Sequence, residues 1–589
     1  MKKILSAFLA LLFAISFSPS VGPRDTIGSQ KMQQELEQSL SSKIRYFYNS
    51  ATEGSSIMTT NNKEFHDNVS DSDEVIVVFE LNNKPEFLNE RLHIDQDASH
   101  EEARTIRREY HNQLKDYYQK VNAEFLHNNA FMVSAKDYTI TQSQYSPFVQ
   151  IEFADYATYR QYNDTIVTMA ANEEVNNINI GVPVDFVYEA NRVDASVASS
   201  GFISVGLGTL NAYSQTYAGT GTKVGIIEAE GVAYPSSHEE LSSLLIYTYP
   251  QGAPEHWHAI RVTRILCGQY GMARGVDAAC IAHCPNSSNL IGALDYLVAC
   301  EVDVINISMA TRDLYGQYTW QSAMIDYYVC YAYVPFVCAA GNKSDDGISN
   351  YGASYNAITV ANSTFDNDIN MTSSYGFDIS INNRKPTVSA PGTNIYFDYP
   401  NNLETDSGTS YSAPYIAGIV SKLICEFPTL RASPDTITAA LIASAESVNG
   451  QLVGYPDIHA GAGVVNYEKA REAVLNASGF ACHFDFSNNN VKSTTEVFPT
   501  DKRIKIVAVW LTNSNTTTEE DEVLTNIHTN YDLQIINAGG GVTNATTLLN
   551  YEYISFYNSR NDTWTINLIK TGEKHTNCCD WGTVTWVNE

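Results

Sequence analysis

The pattern of apolar and polar positions changes character twice along the chain. From Glu74 it is sharp: Val75-Ile76-Val77-Val78-Phe79 predicts a strand. Glu101 to Leu126 places Ile106, Tyr110, Leu114, Tyr117, Val121 and Phe125 on one helical face. Strands are then predicted through Met132 to Thr141 and Phe148 to Phe153, a second helix from about Tyr156 to Met169, and a closing strand over Val175 to Ile180. The order is β-α-β-β-α-β, that of a ferredoxin-like unit. Upstream, residues 23 to about 72 are polar and weakly patterned, with one predicted helix over Gln30 to Tyr48.

The middle stretch reads differently. Val224-Gly225-Ile226-Ile227, Val304-Ile305-Asn306-Ile307 and Phe336-Val337-Cys338-Ala339 are apolar without alternation, as strands of a parallel sheet covered on both faces are. Helices are predicted from Asn289 to Cys300, from near Ser410 through Ile424, and from Pro434 to Ser444. Pro414 suits a first helical turn, where the missing N–H costs nothing. From 481 the runs shorten and alternate: Ile504 to Leu511, Tyr531 to Ile536, Glu552 to Phe556, Trp564 to Ile569 and Gly582 to Val587, separated by Asn/Thr/Gly turns. That is the pattern of an antiparallel β-sandwich.

Charge and composition narrow the partners. With 36 basic and 66 acidic residues the net charge is −30, which argues against nucleic acid and anionic membranes. Met1-Lys2-Lys3 followed by the apolar Ile4 to Phe17 reads as a signal peptide ending near residue 22, and predicts a secreted, extracellular protein. No later run is long enough to span a bilayer. Ten cysteines are too few for a disulfide scaffold. Cys280 and Cys284 around His283, and the adjacent Cys578 and Cys579, lack zinc-site spacing with a matching second half.

The chemistry gathers at Asp406-Ser407-Gly408-Thr409-Ser410-Tyr411-Ser412-Ala413-Pro414, which leads into an apolar helix. A serine at a helix N-terminus sits where unpaired N–H groups and the dipole favour developing negative charge. Gly-Thr-Ser-x-x-x-Pro before an apolar helix resembles the nucleophile segment of the subtilisin-like serine proteases. The resemblance extends to three further segments, in the order acid, histidine, serine. Tyr217 to Glu228 is a glycine turn feeding a buried strand, with Glu228 where the family has aspartate and Glu230 as the alternative carboxylate. His258-Ala259-Ile260-Arg261-Val262-Thr263-Arg264-Ile265-Leu266-Cys267-Gly268 is similar to the family's histidine helix, although Ile260 departs from it; His256 competes with His258. Gly341-Asn342 closes a buried strand 68 residues before Ser410.

The resemblance implies an α/β fold: a subtilisin-like parallel-sheet catalytic domain with helices on both faces (201–478). It is preceded by a ferredoxin-like propeptide domain (73–182) and a processing linker (183–200), and followed by the antiparallel β-sandwich (481–589). It implies a serine endopeptidase made as a self-processing zymogen, cut within Asn191 to Gly201 and inhibited by its own propeptide. In the implied site Ser410 is the nucleophile, His258 the base and Glu228 its carboxylate, with the Asn342 amide as oxyanion donor. Ser308, Met309, Ala310 and Gly341 bind extended protein or peptide substrate, and Ala310 in place of glycine implies a modestly reduced first pocket. No cofactor or catalytic metal is implied, and the short Gly268-Gln269-Tyr270-Gly271 connection leaves no room for the calcium loop that many relatives carry at this point. The rival expectation, motivated by Glu228 and Ile260, is a catalytically impaired scaffold serving as a surface-binding or adhesive module.

Overall fold

The computed structural model describes residues 43–49, 56–129, 136–170, 172–188, 201–212, 216–311, 314–378, 383–398, 404–448, 456–481, 490–512, 530–547, 549–571 and 581–589. The segment expected to be a signal peptide, most of the expected processing linker, and Cys578 and Cys579 lie outside these residues.

The N-terminal unit is a six-stranded sheet. Its four-strand centre runs Val175–Gly181, Val75–Leu81, Phe148–Phe153, Tyr138–Gln142, with helices His100–Asn128 and Tyr156–Ala170. This is the spatial order of the expected ferredoxin-like unit. Two more strands, Ile44–Asn49 and Ser56–Thr59, extend the sheet beyond Val175–Gly181. Of the helix expected over Gln30 to Tyr48, residues 30–42 lie outside the described residues, and the strand Ile44–Asn49 corrects its last five residues. Ile44, Tyr46 and Tyr48 enter one core and Phe47 the opposite one, so period-two burial on both faces outweighs any helical pattern.

The long helix opens on a reciprocal cap, Ser99 with Glu102. Its buried face also differs from the expected one: Arg107, His111, Tyr118 and Asn122 join Tyr110, Leu114 and Phe125. The reason is tertiary. One side of the helix lies on its own sheet and the other is covered by the central domain, so polar residues on that second side are buried and must find partners there.

The central domain is a seven-stranded, wholly parallel sheet ordered Ile246–Tyr249, Ala278–His283, Lys223–Glu228, Val304–Ile307, Phe336–Ala339, Ile358–Ser363, Val388–Pro391. Helices Trp257–Cys267, Thr409–Glu426 and Pro434–Ser444 contribute to the core on one face, and Leu290–Ala299 and Trp320–Tyr331 to the core on the other. The C-terminal unit is two four-stranded antiparallel sheets. Strand Ser478–Ala481 already belongs to the first of them. Lys502–Trp510 shows little of the alternation of a half-solvated strand. Ile504, Ile506 and Ala508 fill the sandwich, while Val507 and Val509 join the central-domain core on the side of Pro434–Ser444.

Candidate active site

The central strand Lys223–Glu228 ends on Glu228, whose side chain is 1% exposed at the carboxyl edge of the sheet, where functional groups of open α/β sheets collect. Helix Trp257–Cys267 begins beside it, and His258, fully buried, donates from Nδ1 to Glu228 Oε2 at 2.7 Å. A carboxylate only accepts, so this bond assigns the tautomer and leaves Nε2 as the basic nitrogen. Burial pushes the Glu228 carboxyl above its ordinary range, and the charge and hydrogen bond of His258 oppose that. The second pair, His256 with Glu230, is looser at 3.8 Å, with Glu230 half exposed. Of the two carboxylates and two histidines left open by the sequence, the fold makes Glu228 and His258 the buried, directly bonded pair.

Ser410 is the second residue of helix Thr409–Glu426. Pro414 therefore lies inside the helix and not in its first turn, which corrects the expectation. The difference matters locally, because Pro414 cannot donate to the Ser410 carbonyl four residues back. The Ser308 hydroxyl donates to that carbonyl instead, at 2.9 Å, and the Ser410 hydroxyl donates to the Ser308 carbonyl at 3.1 Å. Asn306 Nδ2 in turn holds the Ser308 hydroxyl at 2.9 Å. Ser308, directly after strand Val304–Ile307, and the serine helix are thus joined by two reciprocal bonds at the serine itself.

Asn342 follows strand Phe336–Ala339. Gly341 before it has φ 109°, and a Cβ there would lie 2.7 Å from the Tyr315 ring, so the left-handed turn needs glycine. Thr409 fixes the asparagine. Its backbone N–H donates to Asn342 Oδ1 at 3.0 Å, and its hydroxyl accepts from the Gly341 N–H at 3.1 Å. The amide oxygen therefore faces Thr409, which makes the NH2 end the outward donor.

Further residues of the site were not singled out in the sequence. Arg261, one turn after His258 and 1% exposed, pairs with Asp406 at 2.9 Å and Glu404 at 2.8 Å, and stacks against Trp257 and Phe397. Asp406 also accepts from the Tyr411 hydroxyl at 2.7 Å, and the Tyr411 ring lies 6.0 Å from that of His258. Burial raises the Asp406 carboxyl, with Tyr411, Arg261 and the Ser407 amide opposing. The available signal was two opposite charges, one three residues after the histidine and one four before the serine.

Ser308, Met309 and Ala310 are buried, and Ser308 is bonded to Ser410. The edge Met309–Thr311 is paired antiparallel with Phe186–Tyr188, a strand of the chain's own N-terminal region. That region is also docked by charge. Arg107 and Arg431 flank the buried Asp303 at 2.6 and 2.7 Å. Burial opposes ionisation of Asp303, and the two guanidiniums more than offset it, holding its pKa at about 2. Arg91 pairs with Asp435 at 2.6 Å, and the Gln144 N–H donates to Asp295 at 2.7 Å. Among the described residues no group of three or more His, Cys, Asp or Glu is arranged to hold a metal ion, and no helix is long and apolar enough to cross a membrane.

A parallel α/β sheet with a carboxylate, a histidine and a helix-terminal serine in that chain order defines a domain of the subtilisin-like class. Residues 219–480 match the model of the subtilase family, Peptidase S8. Two solved structures are similar. The crystal structure of fervidolysin from Fervidobacterium pennivorans, a keratinolytic enzyme related to subtilisin, is 16% identical over 87% of this chain and 71% of its own, with a TM-score of 0.47. The prenylagaramide maturation protease PagA is 19% identical over 43% of this chain and 92% of its own, with a TM-score of 0.36. No curated protein sequence matches the chain.

Proposed function

We propose that the protein is a secreted serine endopeptidase made as a self-processing zymogen. Ser410 attacks the substrate carbonyl while His258 Nε2 takes its proton. Glu228 orients the imidazole and balances its charge, and the Asn342 amide with the Ser410 N–H receives the oxyanion. His258 then returns the proton to the leaving amine, and water releases the acyl group from Ser410. The observation that carries the reading is the buried 2.7 Å contact between Glu228 and His258, which lets a glutamate serve where the family has aspartate.

The zymogen half of the proposal rests on the strand Phe186–Tyr188 lying on the edge that substrate would use, and on the buried charges that hold the N-terminal unit in place. In this reading residues 1–22 direct export, 73–182 fold as an intramolecular inhibitor extended by the strands before them, 183–200 carry the cut, 201–478 catalyse, and the sandwich packs on the catalytic core.

Reaction of the purified protein with a fluorophosphonate serine probe tests the catalytic half. Labelling that disappears in Ser410→Ala supports it, and no labelling after removal of the N-terminal unit leaves the impaired, adhesive scaffold. Ser410→Ala protein whose N-terminal region is cut as in the wild type would show that processing is not its own.

A further inference from the structure

We propose that Asp406 is a positioning residue, a brace that ties the helix of the base to the helix of the nucleophile and sets the tilt of the His258 ring; this rests on the serine-peptidase reading above. The bond to Glu228 fixes one nitrogen of the imidazole. A single hydrogen bond sets a distance and leaves the ring able to tilt about its axis. Glutamate also has one more rotatable bond than aspartate, so the carboxylate end of this pair is the less constrained for it. The tilt decides where Nε2 points, and a misplacement of about 1 Å at a reacting group costs about 100-fold in rate. A second hold on the ring therefore has a kinetic consequence.

That hold is built from one carboxylate. Asp406 ends the strand Glu404–Asp406 and is 1% exposed. Its two oxygens accept three bonds, from the Ser407 N–H at 2.8 Å, the Arg261 guanidinium at 2.9 Å and the Tyr411 hydroxyl at 2.7 Å. Arg261 lies three residues after His258, on the same face of the base's helix. Tyr411 directly follows Ser410 and is fully buried. The rings of Trp257 and Tyr411 stand 5.7 and 6.0 Å from that of His258. Both are held by the same ion pair, Tyr411 through its hydroxyl and Trp257 through the guanidinium 4.6 Å from its ring. Phe397 packs on both arms of the brace, 4.6 Å from the guanidinium and 5.0 Å from the Tyr411 ring. An ion pair that served stability alone could stand anywhere along these helices, as Arg471 with Glu426 does at the far end of the serine helix. This one engages the residues next in sequence to the base and to the nucleophile. In this role Asp406 takes no proton and touches no substrate.

Tyr411→Phe removes one bond of the brace and keeps the ring, and Asp406→Asn removes the charge and keeps the shape. Peptide hydrolysis by the processed protein is measured for both, with fluorophosphonate labelling to its end point as the count of folded sites. The expected losses in kcat are about tenfold for Tyr411→Phe and about 100-fold for Asp406→Asn, with KM within about twofold of wild type. Combined with Glu228→Asp, Tyr411→Phe should depart from the product of the two single losses by about threefold or more, because both act on one ring. Arg471→Met should lower the melting temperature and leave kcat as it was. Loss of one partner of a buried ion pair can prevent folding, and if Asp406→Asn does not fold, the result for Tyr411→Phe decides. In a wild type that takes the probe, Tyr411→Phe with undiminished kcat, a loss confined to KM, single losses that simply multiply, or an equal fall of kcat in Arg471→Met overturns the inference while the peptidase reading stands. A wild type that takes no probe overturns both.

Discussion

Replacing Glu228 by the family's own aspartate should harm this enzyme. The carboxyl reaches His258 Nδ1 at 2.7 Å from a strand whose side chains are buried on both faces, so the backbone has little room to advance. Removing one methylene withdraws the carboxyl by about 1.3–1.5 Å. The gap becomes about 4 Å, beyond hydrogen-bonding range. A hydrogen bond to a charged group contributes about 1.5–3 kcal/mol. Because the imidazolium forms on the way to the transition state, that loss corresponds to about 10- to 150-fold in kcat/KM. Negative charge remains nearby, so Glu228→Asp should retain more activity than Glu228→Gln, for which removal of the charge and its tautomer control predicts a loss of about 10,000-fold. The assay is peptide hydrolysis, with fluorophosphonate titration to count competent sites. Glu228→Asp protein as active as the wild type would refute the reasoning, because the extra methylene would then have no positional role.

Other outcomes follow from the same geometry. Asn342→Ala should lower kcat by about 100- to 1,000-fold, the range known for such a donor in subtilisin, with KM little changed; steady-state kinetics decide. Arg107→Met leaves Asp303 with Arg431 alone, and the loss of one partner of a buried pair, about 3 kcal/mol, should loosen the cleaved N-terminal unit by about 100-fold, read from its dissociation rate. His111, buried with Nε2 bonded to the Ala332 carbonyl at 2.9 Å, is held down at about 4 by burial and then by Arg107, with that bond, Glu301 and Asp303 opposing. The docked histidine resists a proton that the separated unit accepts below its ordinary 6.5, so docking is strongest above that pH. It should weaken as pH falls from 6.5 toward 4, by up to about two orders of magnitude. Inhibition measured across that range should lose most of its slope in His111→Gln.

Local pattern alone was enough for the elements that carry chemistry. Unbroken apolar runs gave the strands ending at Glu228 and before Gly341-Asn342, and a glycine turn before an apolar helix marked Ser410, because covered strands and helix entries leave their mark on neighbouring residues. The β-α-β-β-α-β order was equally legible. What the sequence left open were choices between residues of identical local spacing. Glu228 and Glu230, like His256 and His258, are two apart, and only the meeting of a strand end with a helix start from elsewhere in the chain makes one pair buried at 2.7 Å and the other half-buried and looser at 3.8 Å. The same holds for Pro414, whose missing N–H acquires meaning when Ser308 supplies the bond, and for Arg107 and His111, polar residues on a helix face buried by a second domain. Lys502–Trp510 reads as an ordinary sandwich strand until the central domain covers its outer face. Periodicity reports how much of a segment is hidden, whereas the identity of what hides it depends on contacts between residues far apart in the chain, and those are decided by the tertiary fold.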